Sequence, residues 1–305
     1  GAHTAHLREP YLDGPPPGKP CTHPHPTGTP IWSDAEVDRL FGTAHAAGVQ
    51  VHAHAIGDAA IDQGLEAFSR LAAWEDLEGR GWLHEEAASA GPPKAGPEDP
   101  GGRGGRRPLS GDAEKPPSEA GTVSASAVSP LRHRFEHYEI VHDAQIARTV
   151  ELGLVASSQP NFVGAWSSKG GLYEGRLGPR FRLNNRFRTF KGAGLPLAFG
   201  SDGMPFGPLV GIQAAVAHPD PEQRLTPEEA VWHYTRAAAW AIHWEDGIGS
   251  LEASKRADIL VLRQRSLGEA PPVSWRLQET LTGGVTRFKE TFPALPVKFD
   301  RQPRG

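Results

Sequence analysis

Three short runs that read as strands end in residues that can hold a metal ion or move a proton. Val49-Gln50-Val51-His52-Ala53-His54-Ala55 carries two histidines near its end. Arg132-His133-Arg134-Phe135-Glu136-His137 closes on a histidine, and Pro196-Leu197-Ala198-Phe199-Gly200-Ser201-Asp202 on an aspartate. Neutral imidazoles and a carboxylate are the donor types of a hydrolytic zinc centre that keeps one position open for water. The ion lowers the pKa of that water toward ~7. A carboxylate touching the water can take its proton and pass it to a leaving group. His54, His137 and Asp202 are of these types. One histidine at the end of an apolar strand is more often a satisfied core residue; strands ending in His, His and Asp favour chemistry.

Residues so far apart in sequence can meet only if successive parallel strands align their ends. The chain has the required alternation. Ser33-Asp34-Ala35-Glu36 has capping-box spacing ahead of the apolar helical face Val37, Leu40, Phe41 and Ala44, which Gly48 stops. A helix is expected from about Ala59 to Trp74, with Ile61, Leu65, Phe68 and Leu71 on one side. Asp143 is expected to cap a helix through Val150, before a Leu154–Ser158 strand. A polar loop with Arg176, Arg180 and Arg182 follows. Helices are expected near 185–193 and over 208–217. Thr226-Pro227-Glu228-Glu229 is a second capping box with Pro at the first helical position, opening a helix that carries Ala230, Val231, Tyr234, Ala237, Ala238 and Ile242. One buried strand per helix is the pattern of a parallel sheet wrapped by helices. In a (β/α) barrel the chemistry sits at the C-terminal rim, where Ser157-Ser158-Gln159 would also lie.

The rest of the chain is diluted. Its 305 residues carry a formal net charge of −4, and Gly 36 with Pro 29 makes about one residue in five. Residues 1–30 read as an irregular loop in which His3, His6, His23 and His25 are solvated rather than a metal cluster. Residues 86–130 hold too few apolar side chains to offset their chain entropy and read as a disordered insertion. The slightly acidic balance argues against a nucleic-acid partner. No apolar run approaches the ~18 residues of a membrane span. One cysteine, Cys21, excludes a disulfide framework; with no visible signal peptide, this fits a cytoplasmic location. From Gly249 the sequence turns into a short strand with no helix after it, so residues 246–305 read as part of a small β subdomain and a loose tail.

Four runs taken together resemble amidohydrolase family 3 of the amidohydrolase superfamily: Val51–Asp58, Arg134–His137, Ala198–Asp202, and Gly249-Ser250-Leu251-Glu252 followed by Lys255–Leu262. The resemblance spans about residues 1–85 and 131–265. It implies a metal-dependent hydrolase acting on non-peptide carbon–nitrogen bonds, such as amides or cyclic amides, of a small-molecule substrate. The reaction would run through a metal-bound hydroxide, with one or two ions, most simply Zn(2+). It implies that His54 and His137 are ligands after the family's strands 5 and 6, and that Asp202, after strand 8, touches the ion and activates its water. It also ranks His52 below His54, because the family's own His-x-His pair belongs to strand 1. His52, Asp58, Glu136, Gln159, Arg176 and Arg180 are then candidates for substrate binding or for support of the ligands. His133, far from the rim, reads as packing or surface.

Two family elements have no counterpart: the strand-1 His-x-His and the strand-4 lysine. With the insertion set aside, residues 31–245 fall short of the ~250 residues of a full barrel, so about four βα units fit. The fold expected is therefore α/β: a partial (β/α)8 barrel, about strands 5–8, with part of a small β-sandwich subdomain. The non-Met start at Gly1 agrees with the C-terminal portion of a larger enzyme. The isolated chain is then expected to be inactive, and the alternative reading is a non-catalytic half-barrel scaffold or binding module. A phosphate-binding barrel is disfavoured, since no Gly-rich loop precedes a helix. Nothing in these motifs fixes an oligomeric state.

Overall fold

The computed structural model describes residues 4–12, 26–77, 130–203, 207–264 and 275–290. The expected insertion up to residue 129, the histidines at 3, 23 and 25, and the tail from Thr291 lie outside the described residues.

The described residues form two sheets. The first is four-stranded and entirely parallel, in the order β1 (His52–Ala55), β2 (Arg134–His137), β3 (Val155–Ser158), β4 (Leu197–Phe199). Sequence order equals spatial order, as in a stretch of (β/α) barrel. The second is antiparallel, in the order β5 (Ile259–Gln264), β6 (Trp275–Thr282), β7 (Val285–Lys289). The expected partial barrel with a separate β subdomain is what the chain forms.

Helices cover one face of the parallel sheet. α1 (Asp34–Ala46) starts on the Ser33–Glu36 capping box, and α2 (Asp58–Leu77) follows β1. Alternation along each strand sends Phe135, Ala156, Leu197 and Phe199 to the helical side, where they join Ile61, Leu65 and Phe68 of α2 in the main core. Gly64 lets α2 approach closely, since a Cβ there would lie 2.4 Å from the Phe135 ring. The opposite face of the sheet is the barrel interior. Its lower part is closed by α9 (Arg236–Ala241), with Ala238, Trp240 and Ala241 against Val155 and Ala198. Gln50 and Arg134 donate to the Ala241 carbonyl at 2.8 and 3.0 Å, and Arg132 lies 4.4 Å over the Trp240 ring. Cationic and amide donors thus satisfy the C-terminal carbonyls of this helix.

Several local expectations are corrected. The polar loop after β3 is mostly helical: α4 (Pro160–Trp166), α5 (Leu172–Leu177) and a 3-10 turn at Gly178–Leu183. Its apolar residues Phe162 and Val163 fall in one short helix and Tyr173 and Leu177 in the next, with Arg176 between the latter two. Asp143 is the first residue of α3 (Asp143–Glu151); the cap is His142, in a box with Gln145. The helix expected near 185–193 is the shorter α6 (Phe187–Gly192), and α7 spans Pro208–Val216. The helix opened by Thr226 is broken: α8 (Pro227–Tyr234) ends at Thr235, whose backbone leaves the helical region at φ −117°, ψ −81°, and α9 follows. Among the described residues no helix is long and apolar enough to cross a membrane.

Candidate metal centre

The C-terminal ends of the parallel strands bring together residues from β1, β2 and the turn after β4. His54 and His137 meet edge to face with ring centroids 4.3 Å apart. His137 Nε2 lies 3.8 Å from Asp202 Oδ2. Strand register explains the first contact, since His54 pairs with Glu136 and Ala55 with His137. The second spans β3. Both His137 (φ 74°) and Asp202 (φ 50°) adopt left-handed backbone. Such conformations in non-glycine residues cost of order 1–3 kcal/mol and persist where surrounding structure imposes them, often at functional sites.

His137 is the better fixed of the two histidines. It is 7% exposed, and its Nδ1 lies 2.8 Å from Gln159 Oε1. An amide oxygen only accepts, and on the other side of the ring Nε2 faces Asp202. Ser158 Oγ donates to the His137 carbonyl at 3.0 Å, and the Phe162 ring stacks on the imidazole at 6.1 Å. His54 is exposed at the sheet edge. Partial desolvation, then the neighbouring His137, hold it below the ordinary histidine value, while Asp202 pulls the other way. A neutral imidazole is the form that can ligate a metal. Asp202 Oδ1 accepts from the Gly203 amide at 2.5 Å, and the Ser201 carbonyl accepts from Asn161 Nδ2 at 2.7 Å.

The remaining candidates fall in three places. Glu136 and His52 line the barrel interior, Glu136 level with His54 and His52 two residues below it. Arg134 joins them, donating to Glu136 Oε1 at 2.6 Å and to His52 Nδ1 at 3.1 Å, while His52 Nε2 donates to Gln50 Oε1 at 2.9 Å. His52 therefore has both ring nitrogens engaged. Asp58 sits at the start of α2, 4% exposed, and fastens the N-terminal segment: it accepts from the Arg8 amide at 2.9 Å and meets His142 Nε2 at 3.0 Å. Arg176 is on α5, and its carbonyl accepts from the Leu12 amide at 2.8 Å. Arg180, in the 3-10 turn, donates to the Glu9 carbonyl at 3.0 Å and to that of Pro10. Asp58 and both arginines thus bind residues 4–12 across the rim. His6 of that segment crosses Gly57, where a Cβ would meet its carbonyl at 2.0 Å.

Sequence reasoning missed Glu139. It is 1% exposed, with Oε1 4.0 Å from His137 Nδ1, and accepts at Oε2 from Tyr173 at 2.7 Å and Asn184 at 3.4 Å. Burial and then Glu139 push the Tyr173 hydroxyl above the ordinary tyrosine value, so it stays a donor. A second carboxylate shortly beyond a rim histidine was the available signal. His133 is fully buried: it accepts from the Val51 amide at Nδ1 and meets His45 at 2.9 Å through Nε2.

The donor set suits a divalent ion in type: two imidazoles and a carboxylate on one rim, with His137 Nε2 facing the carboxylate. It does not form a closed site, because among the described residues no group of three or more His, Cys, Asp or Glu is placed to hold a metal.

Parallel strands in sequence order with helices packed on one face define part of a (β/α) barrel. The chain belongs to the amidohydrolase family, whose model matches residues 1–96 and 120–287. It is 25% identical over 278 residues to YtcJ of Bacillus subtilis (strain 168), covering 86% of this chain and 40% of that one. It is 28% identical over 169 residues to an N-substituted formamide deformylase of Arthrobacter pascens, covering 52% and 31%. An uncharacterized metal-dependent hydrolase from Pyrococcus furiosus superposes with a TM-score of 0.55 at 26% identity, covering 84% of this chain and 41% of that one. The chain thus spans less than half the length of these relatives.

Proposed function

We propose that this chain supplies one wall of a metal-dependent hydrolase site and, by itself, is a non-catalytic half-barrel. The observation that carries this reading is the convergence of His54, His137 and Asp202 on one rim of a sheet that stops at four strands, with no further donor closing the set among the described residues. A catalytic zinc site takes three protein ligands and an open position, with distances of about 2 Å. The 3.8 Å between His137 Nε2 and Asp202 Oδ2 is close to the spacing of two donors that share an ion, so what is lacking is a third wall: the exposed edge of β1 leaves His54 without one. The test is direct. The purified 305-residue chain should hold substoichiometric zinc and turn over neither amides nor formamides. One tightly held zinc per chain together with amide turnover would overturn the scaffold reading.

The chemistry for which the wall is suited is hydrolysis of a non-peptide carbon–nitrogen bond of a small molecule. Likeness to the formamide deformylase supports that bond type. Zinc, when bound, would supply Lewis acidity toward a carbonyl oxygen and toward water. His54 and His137 would hold it through neutral ring nitrogens. Asp202 is half exposed and accepts from the Gly203 amide at Oδ1, and its Oδ2 would take a proton from water and return it to the departing nitrogen. Fusing the N-terminal half of YtcJ ahead of this chain tests the whole reading: the fusion should gain zinc and formamide hydrolysis, and Asp202→Asn should abolish the hydrolysis.

A further inference from the structure

One short stretch, Ser158–Phe162, touches both halves of the candidate centre. Ser158 donates to the His137 carbonyl, Gln159 Oε1 faces His137 Nδ1, and the Phe162 ring lies over the imidazole at an interplanar angle of 12°. From the same stretch Asn161 Nδ2 holds the Ser201 carbonyl beside Asp202. Gln159 is 5% exposed and Asn161 2%, so neither is replaced easily by water. β3 lies between β2 and β4, which is why its exit segment reaches both neighbours.

We propose that Gln159 is a positioning residue that locks His137 in the tautomer protonated at Nδ1, so that Nε2 is presented toward Asp202, while Asn161 sets the Asp202 turn from the same segment. This deepens the reading of His137 as a ligand and rests on it for its purpose, but the tautomer itself is a property of the metal-free chain. The physical cause is the acceptor-only character of Oε1. An imidazole with a pyridine-type nitrogen facing that oxygen would put two lone pairs 2.8 Å apart inside a buried site, where neither could be satisfied by water. The Gln159 amide is in turn oriented by its NH2, which faces the Ser157 carbonyl at 3.5 Å. A reversed amide would aim donors at Nδ1 and its oxygen at another carbonyl oxygen.

The experiment is two-bond proton–nitrogen correlation spectroscopy of the metal-free 305-residue chain with nitrogen-15 in histidine. In the wild type His137 should be protonated at Nδ1. Gln159→Met, close in volume but lacking an oxygen acceptor, should move His137 to Nε2 protonation or a mixture. Gln159→Glu, which keeps an acceptor, should retain Nδ1 protonation. Phe162→Leu, which removes the stacked ring and leaves the acceptor, should leave the tautomer unchanged. Zinc titration of the same proteins should show affinity reduced about 10- to 100-fold in Gln159→Met. His137 protonated at Nε2 in the wild type, or unchanged in folded Gln159→Met, overturns the inference. Should Gln159→Met fail to fold, the wild-type and Gln159→Glu spectra still decide. A tautomer that switches while zinc affinity stays the same supports the positioning role and removes His137 from the ligand set, so the two ideas fail separately.

Discussion

His137 Nε2 and Asp202 Oδ2 stand 3.8 Å apart although their strands, β2 and β4, are not neighbours. The curvature of a parallel sheet and two left-handed residues bring them to one point. If that point is a metal centre, the residual zinc uptake of the chain should depend on it. His54→Ala and Asp202→Asn should each lower zinc affinity at least about tenfold, the cost of losing ~1.4 kcal/mol of ligation. Arg180→Ala, whose guanidinium serves the Glu9 and Pro10 carbonyls, should leave zinc affinity unchanged. Calorimetric titration of the three variants checks this, and equal losses in all three would remove the rim from consideration.

The left-handed backbone of Asp202 makes a second prediction, about stability. A Cβ in that conformation costs about 1–2 kcal/mol per residue, and glycine avoids it. Asp202→Ala and Asp202→Gly both lose the carboxylate and its bond to the Gly203 amide. The glycine variant should therefore be more stable than the alanine variant by about 1 kcal/mol, read as a difference in urea midpoint. The reverse order would show that φ 50° is not imposed on this turn.

Much of this was legible from residue pattern. The Ser33–Glu36 and Thr226–Glu229 capping boxes form as spaced, because each is a local exchange of hydrogen bonds. His54, His137 and Asp202 could be singled out because each stands at the end of a strand in a repeating strand–helix unit. The contacts that orient them could not. Gln159 was a candidate only by position, and its bond to His137 depends on β3 lying beside β2. Glu139 showed in the sequence only as a carboxylate two residues past His137, because its environment is made by Tyr173 and Asn184, which belong to the stretch read as a polar loop. Periodicity reports what faces a helix or strand; it carries little about which polar groups of different elements meet.

Packing of α2 on β2 gives a third prediction. Gly64→Ala would ordinarily stabilise a helix by about 1 kcal/mol. At this position the new Cβ would lie 2.4 Å from Phe135 Cε1 and 2.9 Å from Cζ, and the Phe135 ring is fully buried with no open side to move into. Overpacking costs about 1–3 kcal/mol, so the net effect should be destabilising. Thermal or urea unfolding of Gly64→Ala measures it. A stabilised variant would mean that α2 can lift from the sheet without penalty.

Buried histidines away from the rim set the response to acid. Burial, then His45, depress His133 to about 3, and burial depresses His233 to about 4, with the Leu197 carbonyl opposing. In the unfolded chain both titrate near the ordinary 6.5. Between pH 6.5 and the folded values, the unfolded state binds protons that the native state refuses. Stability is therefore fully present above about pH 6.5 and falls as pH drops through that value, by up to about 1.4 kcal/mol per pH unit for each group. The fall from His233 ends near pH 4 and that from His133 near pH 3. His233 Nδ1 donates to the Leu197 carbonyl at 2.7 Å, and a glutamine amide can keep that donor. His233→Gln should thus flatten the dependence of the urea midpoint on pH between about 6 and 4, while His52→Gln, on the exposed interior face, should change the slope much less. An unaltered slope in His233→Gln would show that His233 protonates in the native chain without loss.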